Sequence, residues 1–128
     1  MKKKVLIVED HGDLLEIMKW ILEKEGFEVS IASDGAVAWE FIKANPIALL
    51  ITDYNMPRMN GAELILQVKS EFPDIPIILS SSYLPSDIDL NDKIKYYVVK
   101  PYDVEKLIKL IHLILKPSWP WKAFLKPF

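Results

Sequence analysis

An α/β fold, with a parallel sheet covered by helices on both faces, is what this sequence predicts, and three observations predict it. Short apolar runs alternate with stretches of helical periodicity along the chain. The runs are continuous rather than alternating, as in strands buried on both faces. The run Ile47 to Ile51 leads through Thr52 to Asp53, and then to a loop built from Asn55, Pro57, Asn60 and Gly61. In open sheets of this kind, ligands and chemistry gather at the carboxyl ends of the strands, so Asp53 stands where a working residue should stand. A solitary Asp there would be a turn or helix cap, so the weight falls on what converges with it.

The elements follow in order. Val5 to Val8 gives the first strand, followed at once by Glu9, Asp10, His11, Gly12 and Asp13. Leu14, Ile17, Met18, Ile21 and Leu22 then recur at helical spacing, with Glu16, Lys19 and Glu23 off the stripe. This amphipathic helix ends at Gly26, and Trp20 falls on its polar side. Phe27 to Ala32 is the second strand. Ser33-Asp34-Gly35 opens a second helix with Ala38, Trp39 and Ile42 facing inward, and Asn45-Pro46 stops it.

The stretch ending at Asp53 is the third strand, and the Asn60-Gly61 turn leads into a helix from Ala62 to Phe72. Its apolar stripe is Leu64, Ile65, Val68 and Phe72, and Pro73 ends it. Ile75 to Leu79 is a fourth strand running into Ser80, Ser81 and Ser82. Tyr96 to Val99 is a fifth, followed by Lys100 and Pro101. Val104, Leu107, Ile108, Ile111 and Leu115 mark a last helix broken by Pro117.

Two places break the regularity. Between Ser82 and Tyr96, the residues Pro85, Asp87, Asp89, Asn91 and Asp92 leave few apolar anchors, so a short or irregular helix or a loop is expected. The tail carries Trp119, Trp121, Phe124, Leu125 and Phe128 between prolines and lacks the composition of a disordered linker. We therefore divide the chain into one domain over residues 1–116 and an aromatic, proline-rich tail over 117–128.

Composition narrows the function. A chain of 128 residues can bury a core without staples, and the absence of Cys excludes disulfides and thiolate metal sites. The formal charge is −2, and Arg58 is the one arginine among 16 basic residues, which argues against direct nucleic-acid binding. Lys2, Lys3 and Lys4 precede an apolar run far too short for a signal-peptide core or a membrane span. A soluble, cytoplasmic chain with no membrane partner is expected.

The strand ends bring Glu9, Asp10, Asp53, Ser81 and Lys100 to one edge of the sheet. Grouped carboxylates repel one another unless a cation sits among them, and hard oxygen ligands suit Mg²⁺. Lys100 can pair with Asp53 and later with a phosphoryl oxygen, while Ser81 donates a hydrogen bond to another. Asp53 is then a nucleophile for a phosphoryl group, with Mg²⁺ and Lys100 offsetting charge in the transition state.

Four motifs carry a family resemblance. VEDHGDLLEIM, ITDYNMPRMNG, IPIILSSS and YYVVKP resemble, in order, the acidic-pair opening, phospho-acceptor strand, switch-hydroxyl strand and lysine strand of response-regulator receiver domains. These CheY-like domains are the phospho-acceptor modules of two-component signalling, and the match covers about residues 3 to 116. The resemblance implies a flavodoxin-like doubly wound five-stranded sheet with strand order 2-1-3-4-5. It implies phosphorylation at Asp53, Asp10 as a direct Mg²⁺ ligand, Glu9 acting mainly through metal-bound water, and the Asn55 backbone carbonyl completing the protein ligands. Ser81 matches the switch hydroxyl, Tyr97 the switch aromatic that swings inward, and Lys100 the phosphate-pairing lysine. The Lys100–Pro101 bond is expected to be cis, which proline makes accessible.

The implied phosphoryl donor is a sensor histidine kinase or a histidine phosphotransfer protein, and the implied output is contact with a downstream protein target. No enzyme activity is expected beyond the domain's own phosphorylation and dephosphorylation. His11 reads as a loop histidine and His112 as a structural one.

The chain also departs from the family. The interval from Ser81 to Lys100 is shorter than usual, and Asp92-Lys93-Ile94-Lys95 replaces the usual Gly-Ala before the fifth strand. Both changes alter the surface that partners commonly read. The tail is expected to repair or replace that surface, by folding back, by docking into a second copy as a homodimer, or by binding a partner. Tyr83 is expected to shield the acyl phosphate from water.

The alternative is a non-switching interaction module acting through the altered region and the tail. An aspartate-nucleophile phosphatase would need a second Asp where Asn55 stands. A flavin-binding protein would need a hydroxyl- and Gly-rich loop where Glu9 and Asp10 would repel a phosphate.

Overall fold

In the computed structural model, residues 2–56, 58–82, 94–101 and 103–115 are described. The short helix expected after Ser82, the shielding role of Tyr83 and the aromatic tail lie outside the described residues. Five strands form one sheet: β1 (Lys4–Val8), β2 (Glu28–Ala32), β3 (Leu49–Asp53), β4 (Ile77–Ser81) and β5 (Tyr96–Val99). They lie in the order β2-β1-β3-β4-β5 with every neighbouring pair parallel, as expected for a flavodoxin-like sheet. Four helices are described: α1 (Gly12–Lys24), α2 (Gly35–Ala44), α3 (Gly61–Glu71) and α4 (Val104–Leu115).

Side-chain alternation along each strand divides the core in two. Val5, Ile7, Leu49, Ile51 and Ile78 pack against Leu15, Met18 and Leu22 of α1 and Leu107 and Ile111 of α4. Leu6, Val8, Leu50 and Leu79 pack on the opposite face, against Ala38, Trp39 and Ile42 of α2 and Leu64, Ile65 and Val68 of α3. All five residues of β3 are buried, which is why its sequence is a continuous apolar run.

Several local expectations need correction. The buried stripe of α1 is Leu15, Met18 and Leu22, whereas Ile17 is 55% exposed and Leu14 only half-buried. Met18 and Leu22 of the expected stripe are buried, and Leu15 takes the inward place expected of Leu14 and Ile17. Trp20 is 58% exposed, as its polar-side position implied, and the Lys24 ammonium sits 3.9 Å above its ring.

Phe27 lies outside β2, which begins at Glu28; it is fully buried, and its amide bonds the Leu22 carbonyl at 3.2 Å. Gly26, at φ 94°, supplies the left-handed turn that ends α1. Phe72 is the C-cap of α3 rather than its last residue and packs edge-on to Trp39. The fourth strand starts two residues later than its apolar run and extends to Ser81. Among the described residues, no helix is long and apolar enough to cross a membrane.

Candidate functional site

Because the strands are parallel, β1, β3, β4 and β5 all end at one edge, and the predicted polar residues meet there. Glu9 follows β1 and is buried, its amide bonded to the Ala32 carbonyl at 3.1 Å. Asp53 closes β3 and is also buried, with Oδ1 accepting from the Tyr54 amide at 2.9 Å. Lys100 follows β5, its amide bonded to the Ser81 carbonyl at 2.7 Å. Its Nζ lies 2.8 Å from Glu9 Oε2 and 3.2 Å from Asp53 Oδ2. Lys100 therefore bridges both carboxylates, with the shorter contact to Glu9 rather than to Asp53. The Lys100–Pro101 peptide is cis, as expected.

The ionisation of this cluster follows from its packing. Burial alone would push the Glu9 carboxyl up, but hydrogen bonds from Lys100 and His11 outweigh it and hold the group below its usual value. Asp53 goes the other way: burial, and then the charge of Glu9, push its carboxyl up, and Lys100 and the Tyr54 amide only partly offset them. For Lys100, burial is outweighed by the hydrogen bond to Glu9 and the charge of Asp53, so its ammonium is held more firmly than usual.

A prediction follows for Asp53. A carboxyl whose folded value is raised favours folding most below its unfolded value and loses that contribution as pH rises through the folded value. At neutral pH the ionised Asp53 is thus a net cost to the fold. Asp53→Asn is expected to raise the thermal midpoint in a metal-free buffer, with the gain shrinking as pH falls into the carboxylate range. A lower midpoint for the variant at neutral pH would contradict this.

Asp10 is exposed beside Glu9, and Asn55 is exposed in the loop after β3. Ser81 ends β4 and is buried. Tyr97 stands opposite Leu79 in the β4–β5 ladder and packs on the α2–α3 side, the side that Ser81 shares by strand alternation. Its hydroxyl is buried without a hydrogen-bond partner among the described residues.

Three features escaped sequence reasoning. His11, expected only as a loop residue, places Nδ1 2.7 Å from Glu9 Oε1 and 3.2 Å from Asp10 Oδ1. The hydrogen bond to Glu9, and then the charges of Asp10 and Glu9, raise its pKa. Glu9, Asp10 and His11 together offer three metal-ligand atoms within 4.8 Å of one another.

Arg58 clamps the loop after β3. Its Nε and Nη2 bond Asp34 Oδ2 and Oδ1 at 2.9 and 3.1 Å, while Asp34 also caps α2 through the Val37 amide. The Val37 amide first, against some burial, and then Arg58 lower the Asp34 carboxyl. Arg58 adopts φ 64°, a conformation costing an ordinary residue roughly 1 kcal/mol, which the forked contact offsets. Finally, Ser80 stands opposite Asp53 in the β3–β4 ladder. Its spacing on β4 could have revealed this; the pairing of Arg58 with Asp34 left no periodic signal.

His112, expected to be structural, is buried with its ring centroid 5.2 Å from that of Phe27. The acid–lysine edge also adjoins an open groove of about 650 Å³, lined by His11, Leu14, Ser82, Lys100, Pro101 and Val104 among others.

The fold and this edge define a class: doubly wound α/β domains whose third strand delivers an aspartate to a carboxylate–lysine cluster. The model of the response regulator receiver domain family matches residues 5–112, and the chain belongs to that family. It is similar to chemotaxis protein CheY1 of Helicobacter pylori strain 26695, with 35% identity over 119 residues covering 88% of this chain and 96% of CheY1. It is 31% identical over 121 residues to response regulator GtcR of Aneurinibacillus migulanus, covering 93% of this chain and 50% of GtcR. The chain thus spans about the whole of one relative and half of the other. Among solved structures, it resembles response regulator TrrA of Thermotoga maritima in complex with Mg²⁺-BeF, at 29% identity and TM-score 0.81, covering 88% of this chain and 99% of that one.

Proposed function

We propose that this receiver domain accepts a phosphoryl group on Asp53 from a phosphohistidine, in a Mg²⁺-dependent reaction, and so switches its protein contacts. The observation that carries this reading is the Asp53 carboxylate at the sheet edge, 3.2 Å from an ammonium already anchored to Glu9. An Asp53 oxygen attacks phosphorus as the phosphorus–nitrogen bond of the donor breaks. The bonding pair stays with the imidazole, which takes a proton from solvent. Lys100 is held firmly protonated and can follow the phosphoryl oxygens as charge shifts onto them. The groove beside Lys100 gives a bulky donor room to approach.

The residues fit a hard divalent ion. Asp10, Glu9, Asp53 and the Asn55 carbonyl would hold Mg²⁺, and the upward push of Glu9 on Asp53 is the repulsion such a cation relieves. When bound, Mg²⁺ would neutralise charge on the transferred group. Ser81 would donate to a phosphoryl oxygen, and Tyr97, with its unpartnered hydroxyl on that side of the sheet, would reorient with it. The donor would be a sensor histidine kinase or a histidine phosphotransfer protein, in the cytoplasm. Residues 1–116 would form the receiver unit, and the 117–128 tail a contact element of the output. The domain would turn over nothing but its own phosphate.

Intact mass after incubation with acetyl phosphate tests this. A single phosphoryl adduct is expected with Mg²⁺, and none with chelator or in Asp53→Asn. Absence of the adduct in the folded wild-type protein with Mg²⁺ would overturn the proposal and favour the non-switching module.

A further inference from the structure

Ser80 is a polar residue in an apolar setting. It is 4% exposed, and its Oγ has no hydrogen-bond partner among the described residues. Strand alternation puts it on the α1–α4 side of the sheet, away from the Ser81 face, and directly opposite Asp53 in the ladder. The cavity it lines holds about 10 Å³ and is walled by Glu9 and Asp53 together with Ile51, Leu14 and Met18. That volume takes one water at most. An aliphatic residue would fill this place at no polar cost, so an unpartnered hydroxyl here calls for a partner that it serves.

We propose that Ser80 is a positioning residue for the acyl phosphate at Asp53. Its hydroxyl donates to the Asp53 carboxyl from within the sheet, through a single water held in this cavity. The Tyr54 amide already holds Oδ1 from the loop side and Lys100 pairs with Oδ2, so Ser80 adds a donor from beneath. This inference rests on phosphorylation at Asp53.

The consequence falls on hydrolysis. Water attacks phosphorus and the bond between phosphorus and the Asp53 oxygen breaks. The electron pair returns to the carboxylate, and the phosphate keeps one proton of the water while the other goes to solvent. The carboxylate gains charge in this step, so a donor aimed at it stabilises the leaving group more than the acyl phosphate. Ser80 therefore shortens the life of the phosphorylated state.

The experiment compares wild type, Ser80→Ala and Ser80→Thr, each phosphorylated with acetyl phosphate and Mg²⁺, freed of donor, and followed by intact mass. Ser80→Ala is expected to lengthen the phosphoryl half-life roughly three- to tenfold, with Ser80→Thr close to wild type because it keeps the hydroxyl. An unchanged or shortened half-life in Ser80→Ala would overturn the inference, as would equal effects of Ala and Thr, which would mark a packing role. Failure of wild type to form an adduct would instead refute phosphorylation at Asp53, so the two failures are distinct.

Discussion

Lys100→Met is expected to lose about 3 kcal/mol of folding stability at neutral pH, because it strands two buried carboxylates side by side. The lysine side chain is 18% exposed and those of Glu9 and Asp53 are 6% and 9%, so solvent screens little of the repulsion that remains. The dependence on pH separates this cause from lost packing. In wild type the Glu9 carboxyl lies below its usual value, so its contribution is present above the unfolded value and is lost as pH falls through the folded one. In the variant the hydrogen bond and charge from Lys100 are gone, and burial with the Asp53 charge drives Glu9 upward. Its contribution is then greatest in acid and falls as pH rises.

The gap between the two proteins should therefore be wide near about pH 8 and narrow as pH falls through the carboxylate range, closing only once the depressed Glu9 carboxyl of wild type is itself protonated. Urea denaturation at a series of pH values measures it, and a deficit independent of pH would show that packing alone is lost. Added Mg²⁺ should return part of the stability, since a cation among the carboxylates replaces the missing one. Phosphoryl uptake from acetyl phosphate should fall at least tenfold, on the order of the loss from removing one charged transition-state donor.

The division between what the sequence disclosed and what it hid has a physical basis. Strands buried on both faces leave continuous apolar runs, and their carboxyl ends share an edge once the sheet is parallel. Glu9, Asp53, Ser81 and Lys100 could thus be gathered from spacing alone. On α1 the expected Met18 and Leu22 are buried, but Leu14 and Ile17 were read as inward in place of Leu15, because Leu14 and Leu15 are adjacent and either looks adequate until the sheet selects one.

Apart from the pairing of Lys100 with Asp53, side-chain pairings between distant elements were not legible. Arg58 reaches Asp34 across 24 residues, and no local pattern records that contact. His11 looked like a loop histidine because the sequence does not show that Glu9 turns inward and offers it an oxygen. Ser80 was overshadowed by Ser81, since a run of three serines hides which hydroxyl faces which side of the sheet. Strand parity answers that question only once the strand's limits are known.

Gly61→Ala is the second change with a large expected effect, and Gly12→Ala is its control. Each glycine is the first residue of a helix, α3 and α1 respectively, and neither has a positive φ. Their surroundings differ completely. A Cβ at Gly61 would run into the Asp53 carbonyl oxygen and lie 2.8 Å from Tyr54 Cα, whereas no atom of the described residues approaches within 4 Å at Gly12. The Gly61 amide also bonds the Tyr54 carbonyl at 2.8 Å, closing the loop that carries Asn55 and Arg58.

The atoms in the way at Gly61 are backbone, so relief requires moving the loop or the strand end. We expect a loss of about 2 to 3 kcal/mol for Gly61→Ala. Gly12→Ala should gain about half a kcal/mol from helix propensity alone. Paired urea denaturation curves check both signs, and a shift of the two in the same direction would mean that the close approach at Gly61 does not carry the cost. Because Asp53 and Asn55 flank Tyr54, the displaced loop should also slow phosphoryl uptake in Gly61→Ala and leave it intact in Gly12→Ala. The absence of a side chain at Gly61 is thus a condition for the geometry of Asp53.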